Sequence, residues 1–450
     1  MTQAYPLLER WCPDSVVAFY RGKRISAARF LSAAQALAVR LPHQHHVLNL
    51  CEDRYHFLLG FAAALQTGQV SLLPPNRAPE VLRRLCSEYP DAYCLADHHD
   101  LPEGLPVFFF PETPGAAAAL PPPLIPAEQT AVIVFTSGST GAPAAHPKNW
   151  ASLVSVAQSL GRQLDFSPGA SILGTVPPQH SYGLETTVLL PLQWGSATHS
   201  ARPLLPADIE SALAQIPPPR WLMTTPLHLR ACVESGLKLP ALHGVLSATM
   251  PLSAQLARAV ESLYATTVHD VYGCTEAGII ALRRVSRSAT WRVLEGVRVS
   301  KKGDEAWVEG GHVPQPTRVT DQISVHSAQE FELHGRMSDV VKIAGKRASL
   351  AALNAELGQI SGVMDGVFYL PEVMDTTAAR LTAFVVAPAL SPEAILAELR
   401  KHIDPAFLPR PLYFVKALPR NAAGKLPLEN LRCLASELEH DHTGSDTDAF

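Results

Sequence analysis

The chain has 450 residues, too many for one ordinary hydrophobic core, so its length predicts at least two domains. Apolar residues make up 47% and charged residues 17%, a composition typical of folded rather than disordered proteins. The formal net charge of −4 leaves no basic surplus, which argues against nucleic acid binding through phosphate contacts.

The N-terminal part alternates between apolar patterns of helical spacing and short apolar runs that predict strands. Such alternation predicts a mostly parallel sheet covered by helices on both faces. In chain order the predicted elements are a helix over Arg29–Leu41, a strand over His46–Cys51, a helix over Tyr55–Gln66, a strand over Val70–Leu73, a helix near Glu80–Glu88 and a strand near Ala92–Leu95.

A fully apolar strand, Ala131–Phe135, follows a proline cluster, and the alternation then resumes. From about Trp291 the pattern changes to short strands. The predicted elements are helices over Ser152–Leu164, Glu185–Trp194 and Leu252–Tyr264 and strands over Ser171–Val176, Trp221–Thr225, Thr267–Val271, Glu305–Glu309 and Glu330–Leu333.

A domain boundary is predicted at Gly335–Asp339, followed by a small α+β unit in which Ser349 caps a helix. We therefore predict an α/β protein in three parts. They are a large multi-lobed N-terminal domain (residues 1–336) with mostly parallel sheets covered by helices, a small mobile α+β C-terminal domain (337–437) and a disordered acidic tail (438–450).

The chain shows no signal for export or for a membrane span. Met1–Trp11 lacks a cationic stretch followed by an apolar run, and the apolar stretch near Phe57–Leu65 is too short to cross a bilayer. The 7 cysteines are scattered without a CxxC pair, which is typical of reduced thiols. We therefore predict a cytoplasmic protein.

The sharpest motif directly follows the apolar strand: Thr136, Ser137, Gly138, Ser139, Thr140 and Gly141. Small glycines let backbone N–H groups converge on an anion, and hydroxyl groups add donors, so the loop suits a polyphosphate. A flexible serine- and glycine-rich turn is the alternative, which the position after a buried strand disfavours. No lysine follows the last glycine, so this is not the loop of P-loop kinases.

Three further motifs carry groups that suit a nucleotide site. Asp270, Tyr272, Gly273 and Glu276 lie at a strand end, where ligands of α/β sheets gather; Glu276 could hold Mg²⁺, and Tyr272 offers a flat face to a base. Singly, these residues are typical of ordinary turns and surface salt bridges. The second of these motifs contains Asp321, a candidate ribose ligand, and Arg336, a candidate phosphate or ribose ligand, and the third is the glycine-bearing loop of Lys425.

These four motifs, in this order over residues 131–428, resemble the adenylate-forming superfamily, which contains acyl- and aryl-CoA synthetases, luciferase-like enzymes and adenylation domains of peptide synthetases. The run Val176–Glu185 further resembles AMP-ligases of aryl-polyene and xanthomonadin-type pigment pathways. The resemblance implies ATP and Mg²⁺ as cofactors, and an acid that becomes an acyl-adenylate. The co-substrate would be coenzyme A or a phosphopantetheinylated carrier protein.

The resemblance also implies a role for each matching residue. The loop Thr136–Gly141 would hold the ATP phosphates, Thr275 the α-phosphate and Glu276 Mg²⁺, and Lys425 would reach both the carboxylate and the α-phosphate. Asp270 and Tyr272 would contact adenine, and Asp321 and Arg336 would contact the ribose or phosphate. His180 would lie beside the acyl pocket, and Ser338–Asp339 would form a hinge. The remaining candidate nucleotide and pocket residues are Ser247, Ala248, Thr249 and Gly273.

One departure leaves alternatives open. Ala144 stands where the superfamily's phosphate loop carries a lysine, so either Lys148 substitutes or the loop binds pyrophosphate less tightly. Three functions follow: transfer of a small, aryl or hydroxyaryl acid to an acyl carrier protein, transfer to coenzyme A, or nucleotide binding by a regulator without catalysis. The carrier-protein reading is favoured by the pigment-pathway resemblance.

Overall fold

The computed structural model describes residues 3–111, 121–136, 144–303, 305–336, 340–343, 346–371, 380–421 and 424–444. Two large sheets dominate the N-terminal part. No helix in these ranges is both long and apolar enough to cross a membrane.

The first sheet has six strands, parallel except at one edge, where β10 runs antiparallel to β9. The helices α2 (Arg54–Gln66) and α3 (Pro79–Glu88) pack on it, and α1 (Ala27–Ala38) packs against α2. Because α2 is apolar on all sides, it is buried, in contact with strands of both large sheets. The spatial order is β10 (Ala144–Asn149), β9 (Thr130–Thr136), β5 (Val70–Leu73), β4 (His46–Asn49), β6 (Ala92–Ala96) and β7 (Val107–Phe109).

The second sheet has eleven strands, and its centre is parallel from β15 to β2. The order is β21 (Asp321–Ser327), β22 (Glu330–Arg336), β17 (Trp291–Val293), β16 (Gly278–Arg283), β15 (Val268–Cys274), β14 (Gly244–Ser247), β13 (Arg220–Thr224), β11 (Ser171–Gly174), β12 (Ala197–His199), β2 (Val16–Tyr20) and β3 (Lys23–Ser26). Its helices are α4 (Trp150–Gln163), α5 (Ser181–Leu184), α6 (Leu190–Trp194), α7 (Pro206–Ala214), α8 (Pro226–Ser235) and α9 (Ala254–Tyr264), with a π-helical turn (Glu185–Leu189) between α5 and α6.

Smaller sheets complete the chain. A short pair joins β1 (Ala4–Pro6) to β8 (Leu124–Pro126), and an antiparallel sheet contains β18 (Val297–Lys302), β19 (Glu305–Gly310) and β20 (Val313–Val319). The C-terminal part has a hairpin of β23 (Val340–Ile343) and β24 (Lys346–Ser349), a sheet of β25 (Asp365–Tyr369), β26 (Thr382–Val386) and β27 (Leu412–Phe414), helices α10 (Leu350–Gln359), α11 (Pro392–Leu399) and α12 (Leu428–Gly444), and a 3₁₀ turn (Pro405–Phe407).

The predicted α/β class is confirmed, with one difference in detail. The alternating pattern produces two separate sheets, because periodicity along the chain does not state which strands pair. The tail predicted to be disordered starts at residue 438, within α12, which the structure describes to Gly444, and its disorder stays a prediction. Leu431 and Ala435 anchor this helix in the C-terminal core, and its hydrogen-bonded turns extend into the polar end. The predicted hinge, 338–339, lies outside the described residues.

Candidate active site

The parallel strands of the second sheet end at a common edge that carries small and polar residues. Thr225 follows β13, and its hydroxyl group lies 2.8 Å from Nδ1 of His228. After β14, the buried hydroxyl oxygens of Ser247 and Thr249 form no hydrogen bond to any described residue. Thr249 also adopts a φ of 77°, which is strained for a β-branched residue. Strained backbone and unsatisfied buried hydroxyls together are typical of a ligand site.

The turn between β15 and β16 presents Thr275 and Glu276 at this edge. The hairpin closes tightly at Gly273, where a Cβ atom would lie 2.4 Å from the carbonyl oxygen of Gly278. The Glu276 side chain is 43% exposed, and its Oε1 lies 3.9 Å from Nε2 of His146. Gly273 therefore has a structural role in closing the hairpin, and its role as a nucleotide ligand stays a prediction.

The turn that carries Glu276 is compatible with the predicted role of this residue as a Mg²⁺ ligand. No group of three or more histidine, cysteine or acidic side chains that could hold a metal occurs in the described part of the chain. Mg²⁺ is commonly bound by one or two carboxylates together with substrate phosphates and water, rather than by an all-protein cage. A single accessible carboxylate, Glu276, meets that requirement, and the ion would supply positive charge beside the phosphates.

Tyr272 and Asp321 come together although they belong to different motifs. The Tyr272 hydroxyl group donates a 2.7 Å hydrogen bond to Oδ2 of Asp321. The Tyr272 ring packs against Trp291 and Phe331, with centroids 5.6 and 5.3 Å away. Arg336 is the residue opposite Asp321 in the β21–β22 register. The predicted ribose and phosphate ligands therefore lie on adjoining strands, and the predicted base ligand, on β15, is hydrogen-bonded to the first of them.

Asp270 is buried, and an arginine outside the motifs binds its carboxylate. Its Oδ2 accepts hydrogen bonds from Nε and Nη2 of Arg283, at 3.0 and 2.8 Å. Burial raises the pKa of Asp270 to about 7, and the Arg283 guanidinium acts against this rise. Sequence reasoning missed this ion pair, because Arg283 belongs to no motif. The role of Asp270 at adenine stays a prediction.

The predicted phosphate loop is framed by the β9–β10 hairpin. Thr136, the last residue of β9, is paired with Ala144, the first residue of β10. The remaining predicted phosphate ligands lie outside the described residues: Ser137, Gly138, Ser139, Thr140 and Gly141. Further along β10, the Lys148 ammonium group donates a hydrogen bond to the main-chain carbonyl of Glu276. The lysine proposed as a substitute for Ala144 is thus engaged by the Glu276 turn.

His180 lies at the start of α5 and is neutral at physiological pH. Burial and, to a lesser extent, the charge of Lys425 lower the pKa of His180 to about 4. Its Nδ1 accepts a 3.3 Å hydrogen bond from the N–H of Tyr182, so the neutral ring carries its proton on Nε2. The Tyr182 hydroxyl group donates to the carbonyl of Leu246 at 2.9 Å and holds α5 against β14.

The loop that carries Lys425 packs directly on this edge. A Cβ atom at Gly424 would lie 3.3 Å from Sδ of Met250 and 3.8 Å from Oγ1 of Thr249. A bidentate ion pair between Arg420 and Asp365, at 2.8 Å for both contacts, braces the loop from behind. The loop therefore brings Lys425 to the strand edge that carries Thr249, and its charge contributes to lowering the pKa of His180.

Comparison with solved structures defines the class of fold. The chain superposes on ATP-bound MatB of Rhodopseudomonas palustris with a TM-score of 0.80, at 19% identity, over 95% of this chain and 97% of that one. It superposes on o-succinylbenzoate CoA synthetase (MenE) of Bacillus subtilis, in complex with its acyl-adenylate, with a TM-score of 0.82, at 15% identity, over 96% and 98% of the two chains. The fold is that of the adenylate-forming enzymes.

Sequence comparison then gives the family: the chain belongs to the AMP-binding enzymes, whose profile matches residues 8–305. It is 31% identical over 308 residues to a 4-coumarate–CoA ligase of Rhodobacter capsulatus, covering 66% of this chain and 75% of that protein. It is 20% identical over 315 residues to a 3,4-dihydroxybenzoate–[aryl-carrier protein] ligase of Bacillus anthracis, covering 67% and 73%. The protein is therefore an AMP-forming acid–thiol ligase that adenylates a carboxylic acid with ATP.

Proposed function

We propose that this enzyme activates a small aryl or hydroxyaryl carboxylic acid and transfers the acyl group to the thiol of coenzyme A. The similarity to 4-coumarate–CoA ligases supports both the acid class and the acceptor. This acceptor replaces the carrier protein that the sequence resemblance favoured, because the more similar relatives are coenzyme A ligases. The regulator without catalysis has no counterpart among these relatives.

One observation carries the proposal: the Lys425 loop is seated on the strand edge beside His180 and Thr249. Carboxylate and phosphate repel each other, so a cation between them lowers the barrier to their reaction. In the first step a carboxylate oxygen attacks the α-phosphorus of ATP, the bond to the leaving oxygen breaks, and pyrophosphate departs. Lys425, in this seated position, would stabilise the negative charge that develops.

In the second step the thiol attacks the acyl carbon, a thioester forms, and AMP leaves. The Lys425 loop must move away to open a path for the thiol, and this motion requires the predicted C-terminal domain to be mobile. The roles of Asp321 and Tyr272 at the ribose and base are part of this proposal. Their direct hydrogen bond gives them a common, fixed position.

The small and polar edge supports the acid class. Thr225, Ser247 and Thr249 present hydroxyl groups there, and Ala248 leaves space. Buried hydroxyls without partners favour a ligand that brings polar groups of its own, such as a phenol. The neutral Nε2–H of His180 is a further donor at the same place.

The test is a screen of acids for acid-dependent pyrophosphate release, covering hydroxycinnamic, hydroxybenzoic and fatty acids. We expect hydroxyaryl acids to have the highest kcat/KM. If no acid releases pyrophosphate while ATP still binds, the proposal fails and the regulator becomes the better reading.

A phosphopantetheinylated carrier protein is the second candidate acceptor. It is supported by the similarity to an aryl-carrier-protein ligase and by the run Val176–Glu185, which resembles pigment-pathway ligases. After adenylate formation, coenzyme A or holo carrier protein is added and the thioester is identified by mass spectrometry. We expect thioester with coenzyme A; thioester with the carrier protein alone would overturn that acceptor and leave the adenylation step intact.

A further inference from the structure

A lysine from a different element holds one end of the turn that carries Glu276. Lys148 lies on β10, opposite Val132 of β9, and its ammonium group reaches the main-chain carbonyl of Glu276, 128 positions further along the chain. Burial lowers the pKa of Lys148, so the ammonium is partly withdrawn from water. This contact fixes the peptide group next to the candidate metal ligand.

Glu185, the first residue of the π-helical turn, holds the other end of the same turn. Its Oε2 accepts a 2.8 Å hydrogen bond from the N–H of Ile279, and its Oε1 accepts a 3.0 Å bond from the Ser181 hydroxyl group. The carboxylate is buried, and a Cβ atom at Gly278 would lie only 2.8 Å from Oε1. Turns of π-helix occur frequently at functional sites.

The two side chains carry opposite charges and act on each other. Burial raises the pKa of Glu185, while the Lys148 ammonium lowers it. Cys274, beside them, is a neutral thiol, because burial raises its pKa to about 12. His312 is also neutral, because burial lowers its pKa to about 4. Among the described groups that interact with Lys148, Glu185 and Glu276 therefore supply the negative charge.

We propose that Lys148 and Glu185 form a clamp of two oppositely charged side chains that sets the position of Thr275 and Glu276 for adenylation. Lys148 donates a hydrogen bond to the carbonyl of Glu276, and Glu185 accepts one from the N–H of Ile279, so the turn is held at both ends. Both are positioning residues, since their contacts are with the main chain of the turn. The inference rests on the proposed function, because it concerns the same site.

The experiment compares four variants of the full-length protein. Lys148→Met removes the charge and keeps most of the side-chain length, Lys148→Arg keeps the charge, and Glu185→Gln removes the partner's charge with little change of shape. Lys238→Met, at an exposed lysine, is the matched control. The kcat and KM of acid-dependent pyrophosphate release are measured against Mg²⁺ concentration.

We expect Lys148→Met and Glu185→Gln to lower kcat at least about tenfold, since small displacements of reacting groups have effects of that order. The Mg²⁺ concentration for half-maximal rate should rise several-fold, the KM for the acid should stay unchanged, and Lys148→Arg should retain most activity. A wild-type kcat and Mg²⁺ dependence in Lys148→Met would refute the clamp.

A second readout needs no turnover: the rise in Tm caused by ATP with Mg²⁺, compared with ATP and EDTA. The Mg²⁺-dependent part should shrink in Lys148→Met and Glu185→Gln, while the rise caused by AMP stays, because Tyr272 and Asp321 are untouched. Loss of all ligand responses together would show a merely structural role and overturn the inference.

The two proposals can fail separately. If Lys148→Met does not fold, Glu185→Gln decides the question by the same readouts. If the wild-type enzyme releases no pyrophosphate with any acid, the proposed function fails, and the Mg²⁺-dependent rise in Tm still tests the clamp.

Discussion

At the residue scale, removal of the Lys425 side chain should impair the adenylation step without impairing folding. We expect Lys425→Ala to lower acid-dependent pyrophosphate release at least about tenfold, since loss of one electrostatic contact to a transition state has effects of that order or larger. The Arg420–Asp365 ion pair braces the loop independently of the Lys425 side chain, so Tm should change little. Pyrophosphate release and thermal unfolding measure the two effects.

Lys416→Ala is the matched control, because Lys416 is an exposed lysine of the same C-terminal part. Its kinetics should equal those of the wild type. Unchanged pyrophosphate release in Lys425→Ala would remove this lysine from the adenylation step, while the family assignment would stand on the sequence comparison.

At the same scale, Asp270 shows that a buried ion pair can give a motif residue a structural role. The position of Asp270 in its motif predicts a nucleotide ligand, whereas in the structure its carboxylate binds Arg283. A buried carboxylate without that guanidinium would be strongly disfavoured in its charged form. Asp270 lies two residues before Tyr272 in β15, and the Arg283 guanidinium lies 4.2 Å from the centroid of the Trp291 ring, which also packs against Tyr272.

At the element scale, the β15–β16 hairpin depends on glycine in a way that a substitution can measure. Gly278 has a φ of 79°, and a Cβ atom there would also collide with the Glu185 carboxylate. We expect Gly278→Ala to lower pyrophosphate release at least about tenfold, because the displaced carboxylate would move the turn that carries Glu276. Steady-state kinetics and denaturant unfolding are the measurements.

Gly68→Ala is the control, since Gly68 has a φ of 74° and no atom within 4 Å of its would-be Cβ. Both substitutions cost about 1 kcal/mol for the left-handed backbone, so Gly68→Ala should lose that stability and keep its activity. Equal activity in the two variants would contradict the role given to the hairpin.

The helices and strands themselves were largely predictable. The strand Val70–Leu73 has the predicted bounds, and Ser349 caps α10 through a hydrogen bond from the N–H of Ala352, as expected. Long apolar runs and capping residues act locally, which is why the sequence reveals them. The π-helical turn at Glu185 was not foreseen, because its irregularity depends on packing against strands that are distant in the chain.

At the scale of the whole molecule, one contact joins the N-terminal part to the C-terminal part with the Lys425 loop in place. Arg230, on α8, donates hydrogen bonds to the main-chain carbonyls of Val363 and Met364. This contact stabilises the arrangement in which Lys425 lies beside His180. We expect Arg230→Ala to lower pyrophosphate release about tenfold or more, on the scale of a hydrogen bond from a charged group.

The same variant should form thioester from chemically prepared acyl-adenylate at the wild-type rate or faster, because that step requires the loop to leave. Arg258→Ala, at an exposed arginine of α9, is the control and should change neither rate. Equal loss in both half-reactions would mean that Arg230 stabilises the fold rather than this arrangement.

The α/β class, most elements and the four ordered motifs that indicate acid activation can be predicted from the amino-acid sequence. These features are local, and each can be read within a few residues. Only the tertiary structure shows which groups come together: Lys148 with the Glu276 carbonyl, Tyr272 with Asp321, and the Lys425 loop with Thr249. Such pairs join residues that are far apart in the chain, and strand order and domain packing bring them together.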